Sequence, residues 1–517
     1  MSADEAHDNQ PRVFAFLTDP RTHGGAKVAR IDTHAASVFL AGPLAYKVKR
    51  AIRLSFLDYS TLPLRKAACE RELEVNRRFA PDIYLNVSVI AEDGEGRLHL
   101  GGSGRPVEYA VVMRRFDETR TLDRLAEKRS LDEGLMARLG AEIAQMHLSL
   151  PAFDWRRWLD FAGQIIRDNH DILAGYPDAF APQRVTALRD ASLAALDRLR
   201  PLIERRGRAG FVRECHGDLH LRNIALIGGA AVPFDAIEFD PLIAAGDVLY
   251  DLAFLLMDLI GCRQPAAANT VFNRYLVASG GLHLDALGAL PLFLSLRAAI
   301  RAKVTALRMT RLPPKERGQP VAEAASYFGH AESFLSPPPA QLVAVGGLSG
   351  TGKSVLARRL APGVGAAPGA VILRSDIERK GMFGVPETTR LPPSAYGSGV
   401  TEAVYTALAA KAARILATGH SVIVDAVFSR TIEARGIASA ALRAGVPFAG
   451  LFLEADLQTR LSRVERRTGD ASDADSEVAR MQESYGERPP GWARIDASGT
   501  PEVTLRLAQE ALQTAGR

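Results

Sequence analysis

Cysteine is scarce in this sequence, with three isolated residues, Cys69, Cys215 and Cys262. An odd number without metal-ligand spacing predicts neither a disulfide framework nor a zinc site, and it fits a reducing compartment. Long apolar runs are missing too; the best, 252–259, is short and contains Asp258, so we expect no membrane span. The acidic first residues do not form a signal peptide, and we expect a cytoplasmic protein.

A strong excess of one charge is also absent. The sequence has 64 basic and 59 acidic residues, a net charge of +5, and no basic run interleaved with aromatic residues. This balance argues against nucleic acid as a partner and is compatible with a small anionic ligand. The hydrophobic content of 47% over 517 residues predicts a globular protein. We expect about two to four domains, and the oligomeric state stays open.

One glycine-rich stretch, 347–354, follows the apolar run 342–345 and precedes a helical pattern over 355–360. A strand, a glycine loop and a helix in this order are typical of a phosphate-binding P-loop; the alternative is a glycine turn that matches by chance. Backbone N–H groups of such a loop bind phosphate, the Lys reaches the β- and γ-phosphates, and the Ser hydroxyl ligates Mg²⁺. The predicted nucleotide-binding residues are Gly347, Leu348, Ser349, Gly350, Thr351, Gly352, Lys353 and Ser354, with Ser354 also a metal ligand.

A second constellation lies upstream, where the sequence His-Gly-Asp ends at Asp218 and is followed by Asn223 and, after an apolar strand, by Asp235. This is the spacing of a kinase catalytic loop, in which an Asp orients the substrate hydroxyl and an Asn holds Mg²⁺. Asp235 supplies a second metal carboxylate, and Glu238 is an alternative ligand. A solvated turn is the other interpretation of His-Gly-Asp.

The rest of the first 335 residues divides into a strand-rich part followed by a helix-rich part. Residues 1–12 read as disordered, and short strand signals dominate from 13 to 113. Alternation along 45–49 places Lys47 and Lys49 on one face of a strand. Helical patterns cover 64–79, with Glu70, Glu72 and Glu74, then 131–150, 185–199 and 247–334.

Residues 13–335 resemble the aminoglycoside phosphotransferase and choline kinase group, the small-molecule relatives of protein kinases. The resemblance rests on 216–220 with Asn223, on 234–235 and on 247–253. It implies a protein-kinase-like, bilobal α+β domain with an N-lobe over about 13–113 and a C-lobe over about 114–335.

The resemblance also assigns roles. It makes Asp218 catalytic, Asn223 and Asp235 metal ligands, and ATP with Mg²⁺ the cofactors. Lys47 would contact the ATP phosphates and pair with a helix glutamate, Glu72, and 113–116 would form the hinge between the lobes. For Lys47 an exposed strand lysine is the alternative. Asp247 and Asp251 are expected to brace a helix.

Two features depart from the family pattern. The first strands are not joined by a glycine-rich loop, and His-Gly-Gly at 23–25 is a poor substitute. The stretch 235–238 also lacks the family's tighter Asp-Phe-Glu arrangement. A non-catalytic, binding or regulatory role of this domain therefore stays open.

Beyond the P-loop, carboxylates follow two further predicted strands. Asp376 comes after the strand 370–373, at the strand end where parallel sheets bind ligands, and is our candidate base for an acceptor hydroxyl. Arg379 can hold an anionic or polar acceptor, while a helix N-cap is the alternative role of Asp376. Asp425 ends the strand 421–424 and is a candidate metal ligand. It has no adjacent Glu of the kind hydrolytic ATPases use, which favours transfer to a bound acceptor.

Arginines recur at helical spacing further on, at 460, 463, 466 and 467, before a polar, lid-like loop over 470–475. One or more can close over the transferring phosphate, and we choose Arg463 as a nucleotide-binding residue; a solvated helix face is the alternative.

This last third resembles small P-loop kinases of the gluconate, shikimate, polynucleotide 5′-kinase and zeta-toxin types, through 347–354, 375–379 and the arginine-rich lid. It implies a three-layer α/β/α domain with a parallel sheet over 340–517, after a proline-rich linker at 336–339 that follows the domain 1–335. The order of the two domains resembles bacterial fusions of a phosphotransferase with an ATP-binding protein.

We therefore expect a bifunctional ATP-dependent kinase that transfers the γ-phosphate to a hydroxyl of a small molecule. Two alternatives stay open: a single active P-loop kinase with a regulatory N-terminal domain, and a nucleotide-dependent switch or ATPase without acceptor. Antibiotic phosphorylation follows from fold analogy alone.

Overall fold

A computed structural model of the chain describes residues 3–54, 57–309, 313–466, 471–485 and 488–515. The chain divides into two compact units. The first unit comprises Met1–Leu135, Gln145–Ile165 and Ile203–Asp258, and the second comprises Met136–Ala144, Ile166–Leu202 and Leu259–Arg517. The domain limits 1–335 and 340–517 stay a prediction. No helix in the described part of the chain combines the length and the apolar character that crossing a bilayer requires.

A twisted antiparallel sheet of six strands forms the centre of the first unit, in the order β1-β2-β3-β8-β6-β7. Its apolar face buries Phe39, Val48 and Ile90, because side chains alternate between the two faces of each strand. The strands of this unit are β1 Val28–Asp32, β2 Ala36–Ala41, β3 Leu44–Lys49, β4 Arg53–Leu54, β5 Leu57–Asp58, β6 Tyr84–Glu92, β7 Leu98–Leu100, β8 Arg105–Arg114, β9 Val212–Glu214, β10 Ile224–Ile227, β11 Ala230–Pro233 and β12 Ala245–Asp247.

Helices make up most of the rest of the chain before residue 336. They are α1 Ala3–Thr18, α2 Leu62–Asn76, α3 Leu122–Glu127, α4 Glu133–Ser149, α5 Trp155–Ala174, α6 Pro182–Arg208, α7 Pro241–Ala244, α8 Val248–Gly261, α9 Pro265–Ala278, α10 Leu290–Met309 and α11 Gly318–Leu335. The predicted strand-rich and helix-rich regions are confirmed.

The expectation of disorder over 1–12 is wrong, because α1 begins at Ala3. The side chain of Gln10, 7% exposed, fixes this helix to the sheet. Its Nε2 donates to the Lys49 carbonyl at 2.8 Å and to Glu108 Oε2 at 2.9 Å, while its Oε1 accepts from Ala51 N at 2.8 Å. A polar, charged segment gave no helical periodicity, and the contacts that fix it are long-range: the Gln10 amide bonds and the burial of Val13 and Leu17 against the sheet.

A parallel five-stranded sheet lies in the second unit, in the order β14-β15-β13-β16-β17. Val343, Val345 and Ile423 are fully buried between the sheet and its helices. The strands are β13 Leu342–Gly347, β14 Val371–Arg374, β15 Val422–Asp425, β16 Phe448–Glu454 and β17 Ala493–Asp496. The helices are α12 Lys353–Leu360, α13 Ser375–Met382, α14 Ser398–Ala417, α15 Thr431–Ala444, α16 Leu457–Glu465, α17 Ser476–Met481 and α18 Pro501–Ala515. The predicted fold class is confirmed in its architecture: an α+β part with an antiparallel sheet is followed by an α/β part with a parallel sheet.

Candidate active sites

Two lysines of β3 share one glutamate of α2 in the first unit. Glu72 Oε1 lies 2.8 Å from Lys47 Nζ, and Glu72 Oε2 lies 2.6 Å from Lys49 Nζ. The Glu72 side chain is fully buried. Burial alone would raise the pKa of its carboxyl, but the two ammonium groups outweigh that cost and lower the pKa to about 2. The prediction that Lys47 and Lys49 lie on one face of β3 and the choice of Glu72 among three glutamates both agree with the observed ion pairs. The alternative that Lys47 is an exposed strand lysine does not agree with them.

Lys47 also reaches the predicted metal ligand Asp235, whose Oδ1 lies 2.7 Å from Lys47 Nζ. Burial would lower the pKa of Lys47, yet Asp235 and Glu72 together hold it well above its usual range. Asp235 adopts a left-handed backbone, with φ of 59°, and its N–H donates to the Tyr84 hydroxyl at 3.1 Å. Next to it, the Ala236 N–H donates to Asn76 Oδ1 at 2.7 Å. These two bonds hold the strained residue in place.

A side chain of α8 fixes the backbone of the catalytic loop. The Asp251 carboxylate accepts the N–H groups of His216 and Gly217, at 3.3 and 2.9 Å, so it braces the loop. The expected brace of the helix start is present at Asp247, whose Oδ1 accepts the Leu249 N–H at 2.9 Å. Gly217 has φ of 79°, and a Cβ there would lie 2.8 Å from Ala244 Cα, so only glycine fits. Asp218 follows as a half-buried side chain at the loop tip.

Asp218, Asn223 and Asp235 converge on one end of the β10–β11 hairpin. Asn223 Nδ2 donates to Asp218 Oδ2 at 2.9 Å. The Phe234 N–H donates to the Asn223 carbonyl at 2.8 Å, which brings Asp235 to the same end. Amide and carboxylate oxygens are the ligands that Mg²⁺ prefers, so this donor set fits the ion.

Sequence reasoning missed the partner of Lys49. Its ammonium pairs with Glu238 as well as with Glu72, so Glu238 is a charge partner in this structure. The alternative role of Glu238 as a metal ligand stays a prediction. The alternation that put Lys47 and Lys49 on one face was the available signal. The turn between β1 and β2 consists of Thr33, His34 and Ala35 and has no glycine, as the sequence indicated.

The P-loop connects β13 to α12 in the second unit. Gly347, Gly350 and Gly352 all have positive φ, of 136°, 86° and 92°. A Cβ at Gly350 would lie 2.5 Å from the Arg460 carbonyl oxygen, so close packing and backbone conformation both require glycine there. Lys353 Nζ donates to the Leu348 carbonyl at 3.1 Å, within the loop.

The Ser354 hydroxyl donates to Asp425 Oδ2 at 2.6 Å, because β13 and β15 are neighbours in the sheet. Arg374 Nε lies 3.3 Å from the same carboxylate oxygen. Mg²⁺ is usually bound by one or two protein oxygens and keeps several of its waters. The adjacent Ser354 hydroxyl and Asp425 carboxylate therefore fit this ion.

The predicted acceptor residues line the same cavity as the P-loop, which measures about 1250 Å³. The N-cap position of α13 is Arg374, so the alternative that Asp376 is the cap is wrong; Asp376 lies in the first turn and lines the cavity. Arg379 is 6% exposed, donates through Nη1 to the Ala395 carbonyl at 2.7 Å and lies over the Tyr396 ring. Its Nε is buried without a hydrogen-bond partner among the described residues.

The arginines of α16 have different surroundings. Arg460 is 1% exposed and bonds the Ala479 carbonyl at 2.5 Å and Glu483 Oε1 at 2.6 Å, which is a structural role. Arg463 lines the cavity, but its guanidinium donates to the Ala497 and Gly499 carbonyls at 2.8 and 2.9 Å. Arg466 also lines the cavity, while Arg467 and Asp470 lie outside the described residues.

Asp473 was not singled out in the sequence, and it joins the lid-like loop to the acceptor wall. Its carboxylate accepts from Lys380 Nζ at 2.8 Å, from Leu391 N at 2.9 Å and from the Tyr396 hydroxyl. Burial would raise the pKa of Asp473, but these donors lower it overall. No pattern in the sequence identifies a carboxylate that is fixed by three donors from two separate segments.

Two separate regions of the chain match known protein families. Residues 60–287 match the Phosphotransferase enzyme family, and residues 342–489 match an AAA domain. Uncharacterized proteins of Mycobacterium tuberculosis and Mycobacterium bovis are 29% identical to the chain over 497 residues, which covers 92% of this chain and 94% of each relative.

Solved structures resemble the two parts separately. A choline/ethanolamine kinase family protein from Mesorhizobium loti is 17% identical and covers 63% of this chain and 94% of its own, with a TM-score of 0.37. A gluconokinase from Sinorhizobium meliloti 1021 is 22% identical and covers 34% of this chain and 95% of its own, with a TM-score of 0.25. The two family matches confirm the resemblance seen in the motifs: a region of the Phosphotransferase enzyme family is followed in the chain by an AAA domain that carries the P-loop.

Proposed function

We propose that this chain is a bifunctional ATP-dependent phosphotransferase that transfers the γ-phosphoryl group of ATP to a hydroxyl of a small molecule. The observation that carries the proposal lies in the second unit. The hydrogen-bonded pair Ser354–Asp425, the lysine of the P-loop and the carboxylate of Asp376 line one cavity. Phosphoryl transfer needs these parts, since catalysis is mostly positioning and charge stabilisation.

The second unit's residues divide into a donor side and an acceptor side. The loop amides and Lys353 bind the β- and γ-phosphates, and Ser354 and Asp425 hold Mg²⁺, which neutralises phosphate charge when bound. Asp376 accepts the proton of the acceptor hydroxyl. Arg379 is buried and has a spare N–H, so we propose that the acceptor carries an anionic group that this guanidinium binds.

In the first unit we propose that Lys47 binds phosphate, Asn223 and Asp235 hold Mg²⁺, and Asp218 orients a second hydroxyl. The observation in support is the chain of contacts from Asp218 through Asn223 to the Asp235 end of the hairpin. A regulatory role of this unit is the second candidate. The glycine-free β1–β2 turn and the Lys47–Asp235 ion pair favour it, because both leave the phosphate groups less well held.

A metabolite screen tests the proposal on the full chain. ADP release is measured with Mg²⁺-ATP and a panel of hydroxyl-bearing anions, for the wild type, Lys353→Ala and Asp218→Ala. The exposed residues Lys128 and Asp82 supply matched controls as Lys128→Ala and Asp82→Ala. Two acceptors, each lost in one variant, support bifunctionality. One acceptor, lost in Lys353→Ala and only modulated in Asp218→Ala, supports the regulatory version, and equal ADP release with and without every acceptor contradicts the kinase.

A further inference from the structure

The strand that leads to the acceptor side, β14, is an edge strand of the P-loop sheet. An edge strand has backbone groups that no other strand pairs. Here one side chain of α9 pairs two of them: Asn273 Oδ1 accepts from the Ile372 N–H at 2.7 Å, and Asn273 Nδ2 donates to the Ala370 carbonyl at 3.2 Å. An amide side chain thus stands where the peptide group of a sixth strand would lie.

Buried neighbours of Asn273 on α9 extend this contact. Asn269, one turn earlier on α9 and 2% exposed, donates to the carbonyls of Pro368 and Ala370 at 3.2 and 3.1 Å. Phe272 is fully buried and its ring centroid lies 5.5 Å from that of His420. His420 Nε2 in turn donates to the Gly369 carbonyl at 2.9 Å. Three successive carbonyls before β14 therefore have side-chain partners.

A second contact reaches the other half of the acceptor wall. Arg274 Nη1 lies 2.7 and 2.8 Å from the two carboxylate oxygens of Glu387. Glu387 belongs to the segment 383–397 between α13 and α14, which supplies Arg390, Leu391 and Tyr396 to the cavity wall. Neighbouring residues of one helix, Asn273 and Arg274, therefore hold both the strand that precedes Asp376 and the segment that carries Tyr396.

We propose that α9 is a positioning element for the acceptor side of the P-loop site, with Asn273 and Arg274 as its positioning residues. The inference rests on the proposed phosphotransfer at that site. The helix lies in sequence within 60–287, the range that matches the phosphotransferase family, yet it serves the pocket of the P-loop domain. Small displacements of groups that position a reactant reduce the rate strongly, so the geometry of Asp376 depends on this helix.

Hydrogen exchange followed by mass spectrometry on the full chain tests the Asn273 contact without knowledge of the acceptor. Asn273→Ala is compared with Thr270→Ala, a half-exposed neighbour on the same helix. We expect exchange in peptides that cover 370–382 to rise about threefold to tenfold, as loss of one or two hydrogen bonds allows. Protection of 347–354 by Mg²⁺ and the ATP analogue AMP-PNP should be unchanged. Unchanged exchange in 370–382, or equal loss of protection at 347–354, overturns the proposal.

Charge reversal tests the Arg274 contact. We expect Arg274→Glu and Glu387→Arg each to speed exchange in 383–397, and the double variant to restore it. With an acceptor from the screen, each single change should raise the KM of the acceptor about tenfold with the KM of ATP unchanged, since an ion pair that positions one side of the pocket affects that side. No restoration in the double variant overturns the proposal. Absence of any acceptor contradicts the proposed function instead, and the exchange data still decide on α9.

Discussion

The hydroxyl of Ser354 donates a 2.6 Å hydrogen bond to the carboxylate of Asp425, from the first turn of α12 to the end of the neighbouring strand β15. The two oxygens are held together by the sheet register, in which Val345 is level with Asp425. The pair is therefore preorganised by the backbone, and a group bound there needs little rearrangement of the protein.

Removing either oxygen should weaken Mg²⁺ binding at the P-loop. We expect Ser354→Ala and Asp425→Asn each to reduce the apparent Mg²⁺ affinity by at least about tenfold to hundredfold, because loss of a group that only orients a metal ligand already has an effect of that size. Mg²⁺ titration of acceptor-dependent ADP release measures it. Ser354→Thr keeps the hydroxyl and should behave as the wild type; a metal dependence that all three variants share with the wild type would refute the assignment.

Lys49 should stabilise the first unit more than it contributes to nucleotide binding. Lys49→Met leaves the buried Glu72 with one of its two ammonium partners and removes the ammonium that pairs with Glu238, a change that typically costs about 3–5 kcal/mol. Lys47→Met should instead weaken binding of Mg²⁺-ATP, because Lys47 alone pairs with Asp235. Thermal unfolding and isothermal titration of the two variants separate the effects, and an equal loss of nucleotide binding in both would contradict them.

The ion pairs of Glu72 with Lys47 and Lys49 should make the stability of the first unit fall at acid pH. The carboxyl of Glu72 has its pKa lowered from 4.5 to about 2, so its contribution is fully present above about pH 4.5 and is lost as the pH falls toward 2. In Glu72→Gln this pH dependence should be missing from the unfolding transition of the first unit. Denaturant titrations at several pH values from 5 to about 2.5 follow it, and an unchanged pH slope in the variant would sink the assignment.

Gly217 allows a clean separation of backbone strain from steric overlap. Gly217 and Gly210 have the same φ of 79°, but a Cβ at Gly210 meets nothing within 4 Å. Gly210→Ala should cost about 1–2 kcal/mol for the left-handed backbone alone. Gly217→Ala should cost more and should displace Asp218, with loss of turnover in the first unit. Comparable stability and activity of the two variants would show that the contact with Ala244 is unimportant.

We expect Arg379 to select the charge of the acceptor. Arg379→Met should raise the KM of anionic acceptors by about tenfold to hundredfold, the value of a hydrogen bond to a charged group, and should leave neutral analogues unaffected. Arg435→Met, on the exposed side of α15, is the control. Kinetic comparison of an acceptor with its amide or ester measures the difference; identical losses for both compounds would argue against an anion at this place.

The local motifs could be predicted from the sequence because the residues that perform their chemistry lie only a few positions apart in the chain. The P-loop and the Asp218–Asn223 spacing follow from short motifs, while the pairing of Lys47 with Glu72 was implied by the family resemblance and agrees with the observed ion pair. The anchoring of α1 by Gln10, the ring of donors around Asp473 and the amide of Asn273 on β14 could not, because each depends on a contact between residues far apart in sequence that only the tertiary structure creates.

The amide of Asn273 has a practical consequence. A fragment that begins at the proline-rich segment 336–339 would contain the whole P-loop sheet but would leave the outer edge of β14 without α9. Bare strand edges pair with other chains, so such a fragment should form dimers or precipitate, whereas one that starts before Pro265 keeps its edge covered and should remain dispersed.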